Sequence, residues 1–163
     1  MGALMIPDIK KILYATDLSK SARHAFVYAA SISHRYGASI TILHVLEAPP
    51  LSVYLLGEQW EEIKKKNVKK AITQVNTRLD EFRANMSTEL ASHPFTVDDI
   101  VVKTGIPEEE ILREVDQGDF DLVVMGTHGH GAFADAMMGS TARRVLRRSK
   151  IPVLVIRLPE GDD

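Results

Sequence analysis

Five short strand-like runs alternate with four segments of helical periodicity, and that alternation narrows the fold more than any other feature of the chain. The runs are Ile9–Ala15, Ser39–Leu46, Phe95–Lys103, Leu122–Met125 and Pro152–Ile156. Strands separated by helices cannot close as hairpins. They pair in parallel, and the helices between them cover both faces of the sheet. Each crossover is expected to be right-handed. The expected class is therefore α/β, a doubly wound five-stranded parallel sheet.

Local signals punctuate this pattern. Thr16-Asp17-Leu18-Ser19 turns the chain after the first run, with Ser19 or Ser21 as helix cap. Ala22, Ala25, Phe26, Ala29, Ile32, Ser33 and Tyr36 then recur at helical spacing, and Gly37 terminates that helix. Ala48-Pro49-Pro50 delays the next helix, so an irregular loop is expected through Gly57. From Glu58, the residues Val68, Ile72, Val75, Leu79, Phe82, Met86 and Leu90 form one stripe that His93-Pro94 ends. Asp98 and Asp99 inside the third run mark an edge strand. Pro107 followed by Glu108, Glu109 and Glu110 begins a helix with fixed φ and negative charge at the positive end of the dipole. The tail from Leu158 to Asp163 carries no structural signal.

Bulk properties exclude several function classes. The 163 residues, 45% hydrophobic and 26% charged, suit one domain spanning 1–163. A net charge of -2 gives no general attraction to nucleic acid or to a membrane surface. Without cysteine there are no disulfides and no thiolate metal sites. No apolar run approaches the roughly 18 residues of a membrane helix, and Met1–Pro7 has no leader pattern, so a cytoplasmic location is expected.

The functional signal lies between Asp121 and Ile156. An apolar strand runs into Gly126-Thr127-His128-Gly129-His130-Gly131, and the chain restarts as a helix at Gly139-Ser140-Thr141. A buried strand, glycines and a hydroxyl-bearing helix start together make an anion site: the glycines admit close backbone approach, and the first amides point out of the helix. In a doubly wound sheet, ligand binds beyond the carboxyl ends of the strands where strand order reverses. The first and fourth strands flank that point, bringing Ala15, Thr16 and Asp17 opposite Met125 and Gly126. The pattern is not a P-loop, which needs a glycine followed by Lys and Ser or Thr. Gly129-His130-Gly131-Ala132-Phe133-Ala134 matches a dinucleotide fingerprint in spacing. However, it follows the fourth strand, and Ile156-Arg157-Leu158 offers no acidic residue for a ribose. His128 and His130 lack a third ligand nearby, so no metal site is expected. His44 reads as a histidine satisfied by backbone. Arg143, Arg144, Arg147, Arg148 and Lys150 read as a solvated face at a helix's negative end.

Gly126, two residues, Gly129, nine residues and Gly139-Ser140 together resemble the nucleotide-binding branch of the universal stress protein family. The resemblance extends to Lys11–Ser19, Leu43-His44-Val45, Gly105-Ile106-Pro107 and Ile151–Val155. It implies a Rossmann-like sheet of order 3-2-1-4-5, similar to the adenine nucleotide alpha hydrolases, with ATP or a related adenine nucleotide at the switch point, and Mg²⁺ as an optional companion of ATP. Ala15, Thr16 and Asp17 would line the adenine and ribose side, and Val45 would meet the adenine. Met125, Gly126, His128, Gly129 and His130 would border the ribose and phosphates, and Gly139, Ser140 and Thr141 would hold the phosphates. One departure stands at His130: such members often carry a basic residue there, whereas an imidazole is only partly charged near neutral pH, so weaker or pH-sensitive phosphate affinity is expected. Family members pair through the last strand, which implies a homodimer through Pro152–Ile156. The expected activity is regulatory binding, with no catalytic residue assigned. The alternatives are a slow ATPase relying on Asp17 and a dimeric interaction protein whose glycines are turns only.

Overall fold

A computed structural model describes residues 6–127 and 138–159. The elements in order are β1 (Lys11–Thr16), α1 (Lys20–Tyr36), β2 (Ser39–Glu47), α2 (Leu51–Tyr54), α3 (Glu58–Asn85), α4 (Ser87–Ser92), β3 (Thr96–Gly105), α5 (Pro107–Gln117), β4 (Leu122–Gly126), α6 (Ser140–Arg148) and β5 (Val153–Ile156). The strands form one sheet of order β3-β2-β1-β4-β5, every pair parallel. The expected class and order hold.

Alternation along β1 divides the core in two. Ile12 and Tyr14 pack with Phe26, Val75, Leu79 and Phe82 from α1 and α3. Leu13 and Ala15 pack with Ile111, Val115, Ala142 and Val145 from α5 and α6. Side chains that point to opposite faces of one buried strand require helices on both sides. Burial pushes the Tyr14 phenol well above its ordinary value.

Local signals set most boundaries. Ser19 caps α1, its Oγ accepting from the Ala22 amide at 3.2 Å, while Ser21 lies buried inside the first turn. Gly37 ends α1 in the left-handed region, at φ 66°. β3 is an edge strand. Its Asp98 carboxylate accepts from Ser39 Oγ at 2.8 Å and Thr41 Oγ1 at 3.0 Å, where the β2–β3 register shifts. Pro152 lies just outside β5: it has no N–H to donate, yet its carbonyl accepts from the Val123 amide at 3.0 Å.

Three expectations need correction. The stretch before Gly57 is not wholly irregular, since Leu51–Tyr54 form a helical turn whose Tyr54 ring lies 5.6 Å from Trp60. The long helix breaks at Met86, where φ is −106°, and α4 continues to Ser92. Its inward face also differs. Ala71 is 1% exposed and Ile72 is 38% exposed, the reverse of the expected stripe. From Leu79 the buried row steps by four to Val75 and then Ala71, because an apolar row winds slowly around a straight helix.

Candidate functional site

At the carboxyl ends of β1, β2 and β4, a cleft of about 350 Å³ opens on the α5–α6 side of the sheet. Ala15, Thr16 and Asp17 from β1 and its turn form one wall. Leu43, Val45 and Glu47 extend it along β2; Met125, Gly126 and Thr127 close it from β4; and Gly139, Ser140 and Thr141 face it from the start of α6. Nine expected site residues therefore line one cleft: Ala15, Thr16, Asp17, Val45, Met125, Gly126, Gly139, Ser140 and Thr141. His128, Gly129 and His130 lie outside the described residues.

The β1 wall is shaped by its turn. Leu18 takes φ 66°, a left-handed conformation that costs a non-glycine residue about 1–3 kcal/mol. Two side chains hold it there. Thr16 Oγ1 accepts from the Leu18 amide at 3.0 Å, and Asp17 Oδ1 accepts from the Ser19 amide at 3.0 Å. Asp17 thus braces the turn before α1 while its residue borders the cleft. His44 is 8% exposed, and its Nδ1 stands 2.8 Å from the Thr16 carbonyl oxygen, tying the end of β2 to the same turn. The reading of His44 as backbone-satisfied stands.

The opposite wall is built differently from the expectation. The Gly139 amide is not free: it donates to the Thr127 carbonyl at 2.7 Å. Thr127 in turn donates its amide to Ile156 O at 2.9 Å, so the end of β4 is fixed to both α6 and β5. Gly139, not Ser140, is the cap residue of α6, and it has no side chain to cap with. The amides of Ser140, Thr141 and Ala142 precede the first intrahelical bond, Arg143 N to Gly139 O at 3.1 Å. These three amides stand at the positive end of the helix dipole, and Ser140, Thr141 and Ala142 all line the cleft.

Gly126 serves packing as well as the cleft. A Cβ there would meet Ser21 Oγ at 2.5 Å, the Ser21 carbonyl carbon at 2.8 Å and the Ala22 amide nitrogen at 2.9 Å. The bare Cα lets the first turn of α1 lie against β4.

Sequence reasoning missed Ala22, Leu43, Glu47, Thr127, Ala142, Pro107 and Ile111 as lining residues. For Pro107 and Ile111 a signal existed: the turn at Gly105-Ile106-Pro107 ends β3 on the ligand side of the sheet. The arginines of α6 also differ from a merely solvated face. Arg144 pairs with Glu108, Arg148 Nη1 lies 2.6 Å from Glu109 Oε1, and Lys150 Nζ lies 2.8 Å from Asp116 Oδ1. α6 is thereby strapped to α5. Arg148 holds the Glu109 carboxyl below its usual range, although both are exposed. Among the described residues, no three His, Asp or Glu side chains converge as metal ligands, and no helix is long and apolar enough to cross a membrane.

Known proteins resemble this chain in sequence and fold. Universal stress protein MJ0577 of Methanocaldococcus jannaschii is 29% identical over 158 residues, covering 91% of this chain and 94% of that protein. A universal stress protein of Thermus aquaticus is 30% identical, covering 91% and 98%. Among solved structures, that of MJ0577 matches with a TM-score of 0.75 at 28% identity, over 95% of this chain and all of the other. A universal stress protein in complex with cAMP matches at TM-score 0.61 and 20% identity, covering 93% and 98%. One from Archaeoglobus fulgidus in complex with dAMP matches at 0.53 and 17%, covering 91% and 97%. Those two are likenesses of fold. The sequence model of the universal stress protein family matches residues 8–157, nearly the whole chain, and the protein belongs to that family.

Proposed function

We propose that the protein binds an adenine nucleotide, ATP in the first instance, in the cleft between β1 and β4 and acts as a regulatory nucleotide-binding homodimer in the cytoplasm. The observation that carries this reading is the convergence of Ala15–Asp17, Val45, Met125–Gly126 and Ser140–Thr141 on one cleft of about 350 Å³ at the switch point of the sheet. That volume lies in the small-ligand range of about 300–1,000 Å³. The apolar side chains of Ala15, Leu43, Val45 and Ile111 suit a flat base, and the opening amides of α6 suit a phosphate. Fold neighbours bound to cAMP and dAMP support the ligand class. Mg²⁺ would enter with the nucleotide, held chiefly through phosphate oxygens and water.

Calorimetric titration with ATP tests the reading. Saturable heat is expected, weakened at least tenfold by Ser140→Ala/Thr141→Ala. Absence of both heat and thermal shift at millimolar ATP, ADP and AMP would overturn it.

A further inference from the structure

The sheet carries a second concavity on the face away from the cleft. Between β1, β2, α1 and α3 lies a cavity of about 250 Å³. Its walls are Tyr14, Phe26, Ile42, Val75, Leu79 and Phe82. Rings stiffen these walls: Phe26 stands 5.0 Å from Tyr14 and 4.8 Å from Phe82 between centroids. Interlocked rings resist the inward collapse that would otherwise fill such a space. The polar atom on the Tyr14 ring is already used, its hydroxyl donating to the Ala22 carbonyl at 2.6 Å. The interior therefore offers apolar contact and no demand for a hydrogen bond.

The mouth is of opposite character. Lys20, Arg23 and Arg78 stand at it, and an adjoining depression shares those three and adds His24. Arg78 is paired with Glu81 at 3.2 Å. Lys20 and Arg23 have no ion pair among the described residues. On a chain of net charge -2, three cations around an apolar hole, one of them paired with Glu81, are a local concentration of positive charge. A neutral apolar guest would fill the hole and leave the rim unmatched. A guest with an apolar body and an anionic head matches both, because a guanidinium presents parallel donors to a carboxylate.

We propose that this cavity is a second ligand site, which takes a medium-chain aliphatic carboxylate with its chain against the Phe26 and Phe82 rings and its head at Arg23 and Lys20. Since an apolar cavity of about 150 Å³ takes benzene, the larger one here admits a chain of roughly eight carbons. Among the described residues, Thr16 alone lines both this cavity and the cleft, so the proposal does not depend on what the cleft binds.

Octanoate is the probe, titrated into the full chain by calorimetry, with octan-1-ol as its uncharged counterpart. Saturable binding with a dissociation constant below about 1 mM is expected, with octanol at least about tenfold weaker. Lys20→Ala/Arg23→Ala changes only the mouth and is expected to weaken octanoate about tenfold while leaving octanol unchanged. Val75→Phe fills the interior and is expected to abolish binding of both; circular dichroism checks its fold, and the mouth variant decides the matter if it misfolds. The site is refuted by no saturable heat at millimolar octanoate, by equal affinity for octanol and octanoate, or by unchanged octanoate affinity in the mouth variant.

Discussion

Gly126 joins two demands at one Cα. It borders the cleft, and it admits the first turn of α1 against β4. Two of the atoms a Cβ would strike, the Ser21 carbonyl carbon and the Ala22 nitrogen, are backbone and cannot swing aside. Gly126→Ala is therefore expected to push α1 away from β4, losing about 1–3 kcal/mol in urea denaturation. Because Ala22 also lines the cleft, the same variant should bind ATP more weakly. Unchanged stability would show that the first turn of α1 gives way freely. Sequence pattern marked Gly126 as special but gave only the ligand-side reason. The packing reason depends on Ser21, more than a hundred residues away in the chain.

At the scale of elements, the strap between α5 and α6 sets where the anion-seeking helix start stands. Glu108 is 5% exposed and is neutralised by Arg144. Arg144→Ala leaves that carboxylate without its partner. A fully buried pair broken this way costs about 3–5 kcal/mol, and water at the half-exposed arginine relieves part of it, so about 1–3 kcal/mol is expected by thermal or urea unfolding. Arg148→Ala, whose partner Glu109 stands in solvent, should leave stability unchanged within error. Equal effects of the two variants would contradict the difference in burial. Nucleotide affinity should fall with Arg144→Ala, because Ser140 and Thr141 ride on the same helix. The basic run was legible as the end of a helix; its partners on α5 were not, because a long side chain's reach across a helix pair leaves no periodic trace.

For the whole molecule, the two sheet edges differ in kind. β3 carries Asp98 and Asp99 and a shifted register, devices that discourage pairing with another strand. β5 is Val153-Leu154-Val155-Ile156, uncharged and regular, and among the described residues it has β4 on one side only. Association is expected there, as an isologous pair. Light scattering at micromolar concentration should give twice the chain mass of 18.1 kDa, and Val155→Lys should shift it toward the single chain. A single-chain mass for the unaltered protein would remove the homodimer from the proposed function.

The amino-acid sequence by itself determined the order of the five strands and the four main helices, the parallel sheet and the strand ends at which a cleft forms. Those follow from periodicity and from signals confined to a few neighbours, such as Ser19 before α1, Gly37 after it and Pro107 at the start of α5. Only the tertiary structure decided what meets across the chain. It turned Ala71 inward in place of Ile72, spent the Gly139 amide on Thr127, set Arg144 against Glu108, and left an unfilled space among Phe26, Val75 and Phe82 under a cationic rim. Helical or strand pattern fixes which face a residue takes to within about one position. Depth, reach and residual space depend on how whole elements cross, and no local run of residues encodes that.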